Sequence, residues 1–281
     1  MDVLLSPFEF GFMQRAFALS FLVGIPTALL SCFLVVRGWA LLGDAVSHSV
    51  LPGVVLAYIF GLPLLLGAFV AAMFCAIASG YISDNSRIKP DTAMGVVFSG
   101  MFGLGIVLYT AIETDIHLDH ILFGNLLGVE QHELWTSALI GSAVILGLAI
   151  FWRDLRFQSF DPAQAQLLGI NVNMLHYGLL SALALTIVAT LAATGLIRAI
   201  GLLIAPGAIA LLITRTFAQM MLVSVLVCLF SLFAGVYLSF FLDSAPAATA
   251  VLVFSAMFIL AFITKRISTQ ASLSAVVKRI T

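Results

Sequence analysis

AFALSFLVGIPTALLSCFLVV, residues 16–36, is a run of 21 residues without one charged side chain. About 20 apolar residues wound as a helix cross the roughly 30 Å hydrocarbon core of a bilayer. The run predicts a transmembrane helix, and the rest of the chain repeats it. Eight further apolar stretches follow, at 40–60, 62–82, 92–112, 134–151, 175–194, 199–213, 218–241 and 247–264. The joints between them are short, apart from 113–133 and 152–174. Of the 281 residues, 62% are hydrophobic and 9% charged, with a mean hydropathy of +1.18. Soluble domains carry roughly 25% charged residues. The composition excludes a soluble globular enzyme and a disordered protein. A net charge of −1 gives no basic field for a nucleic-acid backbone. What remains is an all-α, polytopic membrane helical bundle of eight or nine crossings, with residues 1–281 as a single transmembrane domain.

The basic residues predict its orientation. Arg37, Arg87, Lys89, Arg153, Arg156, Arg215 and the tail from Lys265 to Arg279 fall on one side if there are nine crossings. The positive-inside rule makes that side cytoplasmic and places the N-terminus outside. The outer side then holds Glu113, Asp115, Asp119, Glu130, Glu133 and Asp243, with His117, His120 and His132. Arg15 and Arg198 depart from the pattern, because both fall outside. The 199–213 stretch is short and contains Pro206 and Gly207, so it predicts a broken crossing. The basic turns share no motif, so no inverted repeat is inferred.

Several chemistries are missing from the sequence. GxxxxGK[ST], HExxH and GxSxG are all absent, so no phosphate loop, zincin helix or serine nucleophile elbow is indicated. The chain is not expected to be an enzyme by itself, and any nucleotide must be bound by a partner. Cys32, Cys75 and Cys228 lie far apart within apolar runs and read as small buried hydrophobes. Asp2 and Glu9 stand where a signal peptide would be basic, which predicts no such signal.

Polar side chains inside an apolar chain stand out, because an ionisable group at bilayer depth costs about 2.5–3.5 kcal/mol to insert. Asp44 and His48 are four apart in Gly43-Asp44-Ala45-Val46-Ser47-His48, so on a helix they share a face. A carboxylate beside an imidazole suits a borderline divalent cation, and the lack of nearby Cys or Met argues against Cu(I). The same residues also fit a plainer pattern, in which Asp44 caps a helix after Gly43 and His48 is a core histidine. Two ligands do not fill a coordination shell, whereas the same pair from a second protomer would make four. The loop 113–120 reads either as a cation-concentrating cluster or as a solvated acidic loop. Within 152–174, Asp161-Pro162 reads as an N-cap and first-turn proline, and Gly169 as a stop. That predicts a short cytoplasmic helix near 160–169, suited to a partner's groove.

The stretches GDAVSHSVLPG at 43–53, IKPDTAMGVVFSGMFGLGIVL at 88–108, DHILFGNLLGV at 119–129, FDPAQAQLLGI at 160–170 and IRAIGLLIAPGAIALLI at 197–213 occur in a specific order and spacing. By them the chain resembles the membrane permeases of ATP-binding-cassette importers for zinc, manganese and chelated iron, over nearly its whole length. The resemblance implies a helical bundle similar to the vitamin B12-type permeases, in a bacterial cytoplasmic membrane. It implies a second permease subunit, identical or not, two cytoplasmic ATPase subunits that bind ATP, and an extracytoplasmic metal-binding protein. It implies that Asp44 and His48 contact the transported divalent metal ion, with no permanently bound cofactor. It implies that the 160–169 helix, with Phe160, Asp161, Pro162, Leu167 and Gly169, couples to the ATPase. By analogy with vitamin B12-type importers, the outward Arg15 and Arg198 would dock the binding protein, although arginines that snorkel to lipid headgroups fit the same positions. The similarity is greatest to the manganese and chelated-iron branch. Alternatives are a zinc-specific permease, a proton-coupled secondary transporter using Asp44 and His48, and a structural membrane subunit.

Overall fold

The computed structural model describes the backbone of residues 2–111, 131–194 and 196–280, and their side chains except at 2–5, 84, 192–194, 196–200 and 268–280. The expected acidic loop from Glu113 to Glu130, with His117 and His120, lies outside the described residues.

Among the described residues twelve helices follow one another: α1 (Asp2–Glu9), α2 (Gly11–Val36), α3 (Ala40–Ile59), α4 (Leu64–Asp84), α5 (Pro90–Thr110), α6 (Gln131–Ile150), α7 (Trp152–Phe160), α8 (Pro162–Leu167), α9 (Val172–Thr194), α10 (Leu196–Ile213), α11 (Phe217–Leu242) and α12 (Pro246–Ile280). Among the described residues there is no strand. An all-helical chain is what lipid demands, because each spanning segment must satisfy its own backbone groups. Among the described residues eight helices are long and apolar enough to cross a membrane, namely α2 to α6, α9, α11 and α12. All of them match expected stretches to within a few residues at the start.

The ninth stretch is α10, whose apolar part Gly201–Ile213 is shorter. The ring contacts show that it too returns the chain across the bundle. Phe217 at the start of α11 packs edge-on against Phe33 near the end of α2 (centroids 5.1 Å apart) and against Phe160 at the end of α7 (5.8 Å). Trp39 between α2 and α3 packs edge-on against His176 at the start of α9 (5.2 Å). α9 therefore leaves from the same end of the bundle at which α11 begins, and α10 must carry the chain back. Its 18 residues span about 27 Å at helical rise. Pro206 interrupts its backbone ladder, and Ser31 of α2 fills the gap: its Oγ accepts from Gly207 N at 2.9 Å and donates to the Ile204 carbonyl at 3.3 Å. A serine repairing a proline break is how membrane helices tolerate one.

The end defined by these rings gathers Arg37, Arg153, Arg156 and Arg215, and the positive-inside rule assigns it to the cytoplasm. At the opposite end α1 lies against α2 and α11, through Phe8 beside Phe17 (5.2 Å) and Tyr237 (6.3 Å), and Phe10 at the start of α2 meets Phe240 (5.7 Å). Tyr237 in this cluster is the kind of amphipathic ring enriched at membrane–water interfaces. The core between the ends is built from Leu30, Phe33 and Leu34 of α2, Leu183 and Ile187 of α9, and Leu202, Leu203 and Ile209 of α10, all buried. Cys32, Cys75 and Cys228 are buried free thiols, as their apolar surroundings suggested.

Candidate functional site

α3 is the most enclosed of the spanning helices, and glycines are the reason. A Cβ added at Gly53 would lie 2.2 Å from the Gly67 carbonyl oxygen of α4, and one at Gly67 would lie 2.2 Å from the Gly53 oxygen. A Cβ at Gly105 of α5 would lie 2.9 Å from Leu51 Cγ, and one at Gly43 would lie 3.2 Å from Leu203 Cδ1 of α10. Small residues let helix backbones approach closely in membranes. Three neighbours thus close on α3 from three sides.

One stripe of α3 stays open. From Leu42 to Val55 every residue is buried except Asp44 and His48. Their side chains are 35% and 30% exposed, and His48 Nε2 lies 3.3 Å from Asp44 Oδ1. The His48 ring is flanked by Phe98 and Phe102 of α5, at 5.9 and 5.5 Å between centroids. Pro52 cannot donate an N–H to the carbonyl one turn back, so the His48 carbonyl loses its helical partner beside the pair. The plainer reading of Asp44 as a helix cap is overturned. α3 starts at Ala40 with Trp39 at the N-cap, so Asp44 stands in the second turn, where no free N–H groups need a cap.

Among the described residues no third His, Cys, Asp or Glu joins this pair to make a metal-holding group. The site therefore offers one carboxylate and one imidazole on an open face. Such a pair replaces two of an ion's waters and leaves the rest of its shell to water or to another chain.

The cytoplasmic end carries the second feature. Asp161 caps α8, its Oδ1 accepting from Gln164 N at 2.9 Å, and Pro162 occupies the first turn. Gly169 follows with φ +79°, a left-handed stop that favours glycine. These three positions take the local geometry the sequence predicted. The six-residue α8 is preceded by a helix the sequence reading treated as loop, α7. Its signal was weak because its polar sequence WRDLRFQSF buries only Leu155 and Gln158. Arg156 lies 5.1 Å from the Trp152 ring centroid and 5.7 Å from that of Phe157. Phe160, Leu167 and Leu168 are 61, 89 and 62% exposed, an apolar patch on an otherwise basic end.

Sequence reasoning missed the residues that tie α7 to the bundle. Gln158 Nε2 donates to the Val172 carbonyl at 2.7 Å, and Arg37 Nε donates to Ser159 Oγ at 3.2 Å. Spacing could not have paired positions so far apart in the chain. Arg15 sits at the start of the second turn of α2, exposed, with Nε 3.4 Å from the Gly11 carbonyl. The side chain of Arg198, in the first turn of α10, lies outside the described residues.

Known proteins match along almost the full chain. The sequence model of the ABC 3 transport family covers residues 9–265. The chelated iron transport system membrane protein YfeD of Yersinia pestis is 49% identical over 257 residues, covering 92% of this chain and 86% of that one. The manganese transport system membrane protein MntC of Halalkalibacterium halodurans is 44% identical over 262 residues, covering 93% and 89%. The solved structure of PsaBC from Streptococcus pneumoniae in complex with Fab superposes with a TM-score of 0.81 at 36% identity, covering 90% of this chain and 91% of that one. On this agreement of sequence and fold, the chain belongs to the ABC 3 transport family.

Proposed function

We propose that this chain is the membrane permease of an ATP-driven importer of divalent metal, with manganese and iron as cargo. The names of its relatives, a chelated-iron and a manganese transport protein, support that cargo. The eight apolar spans and the bacterial transport relatives make it a multi-pass protein of the cytoplasmic membrane.

The observation that carries the reading is the open Asp44–His48 stripe on an otherwise enclosed helix. Burying a carboxylate in a membrane protein is costly, and an uncovered one facing a pathway is the usual exception. In the proposed dimer each permease turns this stripe toward the shared axis. Two carboxylates and two imidazoles then hold a passing ion, replacing part of its hydration shell. A mixed oxygen and nitrogen set suits Mn²⁺, Fe²⁺ and Zn²⁺. The transported metal is the cargo and leaves at each turnover.

No Walker loop occurs in the sequence, so ATP is bound and hydrolysed by partner subunits. Two cytoplasmic ATPases dock on the exposed apolar patch of α7 and α8, formed by Phe160 and Leu167. Asp161, Pro162 and Gly169 fix the shape of that short segment. At the outer end Arg15 and Arg198 face a metal-binding protein and take its carboxylates through charge-assisted hydrogen bonds.

The test is metal uptake by the reconstituted complex, with and without ATP, across Mn²⁺, Fe²⁺ and Zn²⁺. ATP-dependent uptake of Mn²⁺ or Fe²⁺ is expected. Uptake that follows a proton gradient and ignores ATP would replace this reading with a secondary transporter.

A further inference from the structure

Arg37 is used neither by the metal pair nor by the docking patch, yet it sits where the two meet. It closes α2, and two residues on Trp39 opens α3. Two contacts converge on it. Its Nε donates to Ser159 Oγ of α7 at 3.2 Å, and Ser159 Oγ in turn donates to the Leu155 carbonyl at 2.6 Å. Its guanidinium carbon lies 4.8 Å from the Trp39 ring centroid. Its Nη2 is buried and meets no acceptor among the described residues.

The surroundings make this junction stiff. Trp39 is wedged edge-on against His176 at the start of α9. Gln158, the neighbour of Ser159, holds the Val172 carbonyl of the same helix. Asp44 lies in the second turn of α3, about 7.5 Å along the axis from Trp39 at helical rise. A displacement of α7 therefore reaches the metal pair through one side chain and little more than one turn of helix. A buried guanidinium with an unmatched N–H is not the cheapest anchor a fold can choose, since a neutral side chain would pack without it. Burial also lowers the Arg37 pKa to about 10, which leaves it charged at neutral pH.

We propose that Arg37 is the positioning residue that transmits movement of the α7–α8 segment to the metal-bearing helix α3. The inference rests on the importer reading above and adds the part that links its two ends. The flat guanidinium is needed for both contacts at once: the Nε–H for Ser159 and the face for Trp39. A lysine keeps the charge but offers neither a planar face nor a fixed donor fork.

The experiment uses the permease assembled with its ATPase and supplied with the metal-binding protein in proteoliposomes, with Mn²⁺ as the probe and metal moved per ATP hydrolysed as the readout. Arg37→Gln should lower that ratio about tenfold, equivalent to about 1.4 kcal/mol on the coupled step. ATPase co-purification and basal hydrolysis should stay at wild-type levels. Arg37→Lys should fall with it. Ser159→Ala should lower the ratio less, and Arg37→Gln with Ser159→Ala should be no worse than Arg37→Gln alone, because both remove one link. An unchanged ratio, full rescue by lysine, additive losses or release of the ATPase would each overturn the role. If Arg37→Gln fails to assemble, Ser159→Ala decides alone: a lowered ratio sustains the proposal and a wild-type ratio ends it. Absence of ATP-driven Mn²⁺ uptake in the wild type would overturn the importer reading and this inference together. Normal wild-type uptake with an unchanged variant ratio would overturn only this one.

Discussion

Gly53→Ala should loosen the helix that carries the metal pair, and the cost can be worked from the contact it would make. The new Cβ would stand 2.2 Å from the Gly67 carbonyl oxygen and 2.6 Å from Ala71 Cβ. A carbon rests against a carbonyl oxygen at about 3.3 Å or more, so α3 and α4 must part by about 1 Å. The obstacle is helix backbone, so no rotamer change relieves it. Overpacking costs typically about 1–3 kcal/mol, and a backbone clash belongs at the upper end. At about 2–4 °C per kcal/mol for a chain somewhat smaller than this one, the melting temperature should fall by about 6–12 °C. Gly67→Ala should behave alike, with Gly53 oxygen at 2.2 Å and Ala57 Cβ at 2.5 Å. The double variant should cost less than the sum, because the first methyl already separates the helices. Gly95→Ala is the control: nothing lies within 4 Å of its Cβ position, so stability should hold or rise slightly. Thermal unfolding of the purified protein in detergent reads all four variants. Equal melting of Gly53→Ala and Gly95→Ala would refute the argument.

Two further outcomes follow from the proposed docking surfaces. Phe160→Ala with Leu167→Ala removes two exposed apolar side chains, so the permease should fold normally while the ATPase dissociates or hydrolyses ATP without moving metal. Co-purification at unchanged yield with normal uptake would count against that patch. Arg15→Glu with Arg198→Glu should weaken capture of the metal-loaded binding protein, most at low salt where charges at an exposed face are least screened. Equal affinity for wild type and double variant at low salt would end that role.

The apolar runs made most of the fold legible, because a spanning helix is specified by length and hydropathy alone. The nine expected stretches correspond to α2 to α6 and α9 to α12. Two helices were not legible. α1 is eight residues held at the outer end by aromatic rings from elsewhere in the chain, and α7 is polar and held by Arg37 and Val172. Asp44 and His48 were legible as a pair from their spacing, but their openness was not. It depends on Gly53, Gly105 and Gly43 drawing three helices onto the other faces of α3, and sequence does not tell which helix meets which glycine. The break in α10 was legible at Pro206 and Gly207, whereas its repair by Ser31 lies 176 positions from Gly207 and was not.

The central claim is that Asp44 and His48 take the passing metal, and Asp44→Asn tests it most directly. Asparagine keeps the size of the side chain and removes its charge, and the position is inside α3, so no cap is at stake. The measurement is ATP-dependent Mn²⁺ uptake by the reconstituted complex, beside the yield of assembled complex. The account predicts normal assembly with uptake reduced to background. Normal uptake by Asp44→Asn would contradict it.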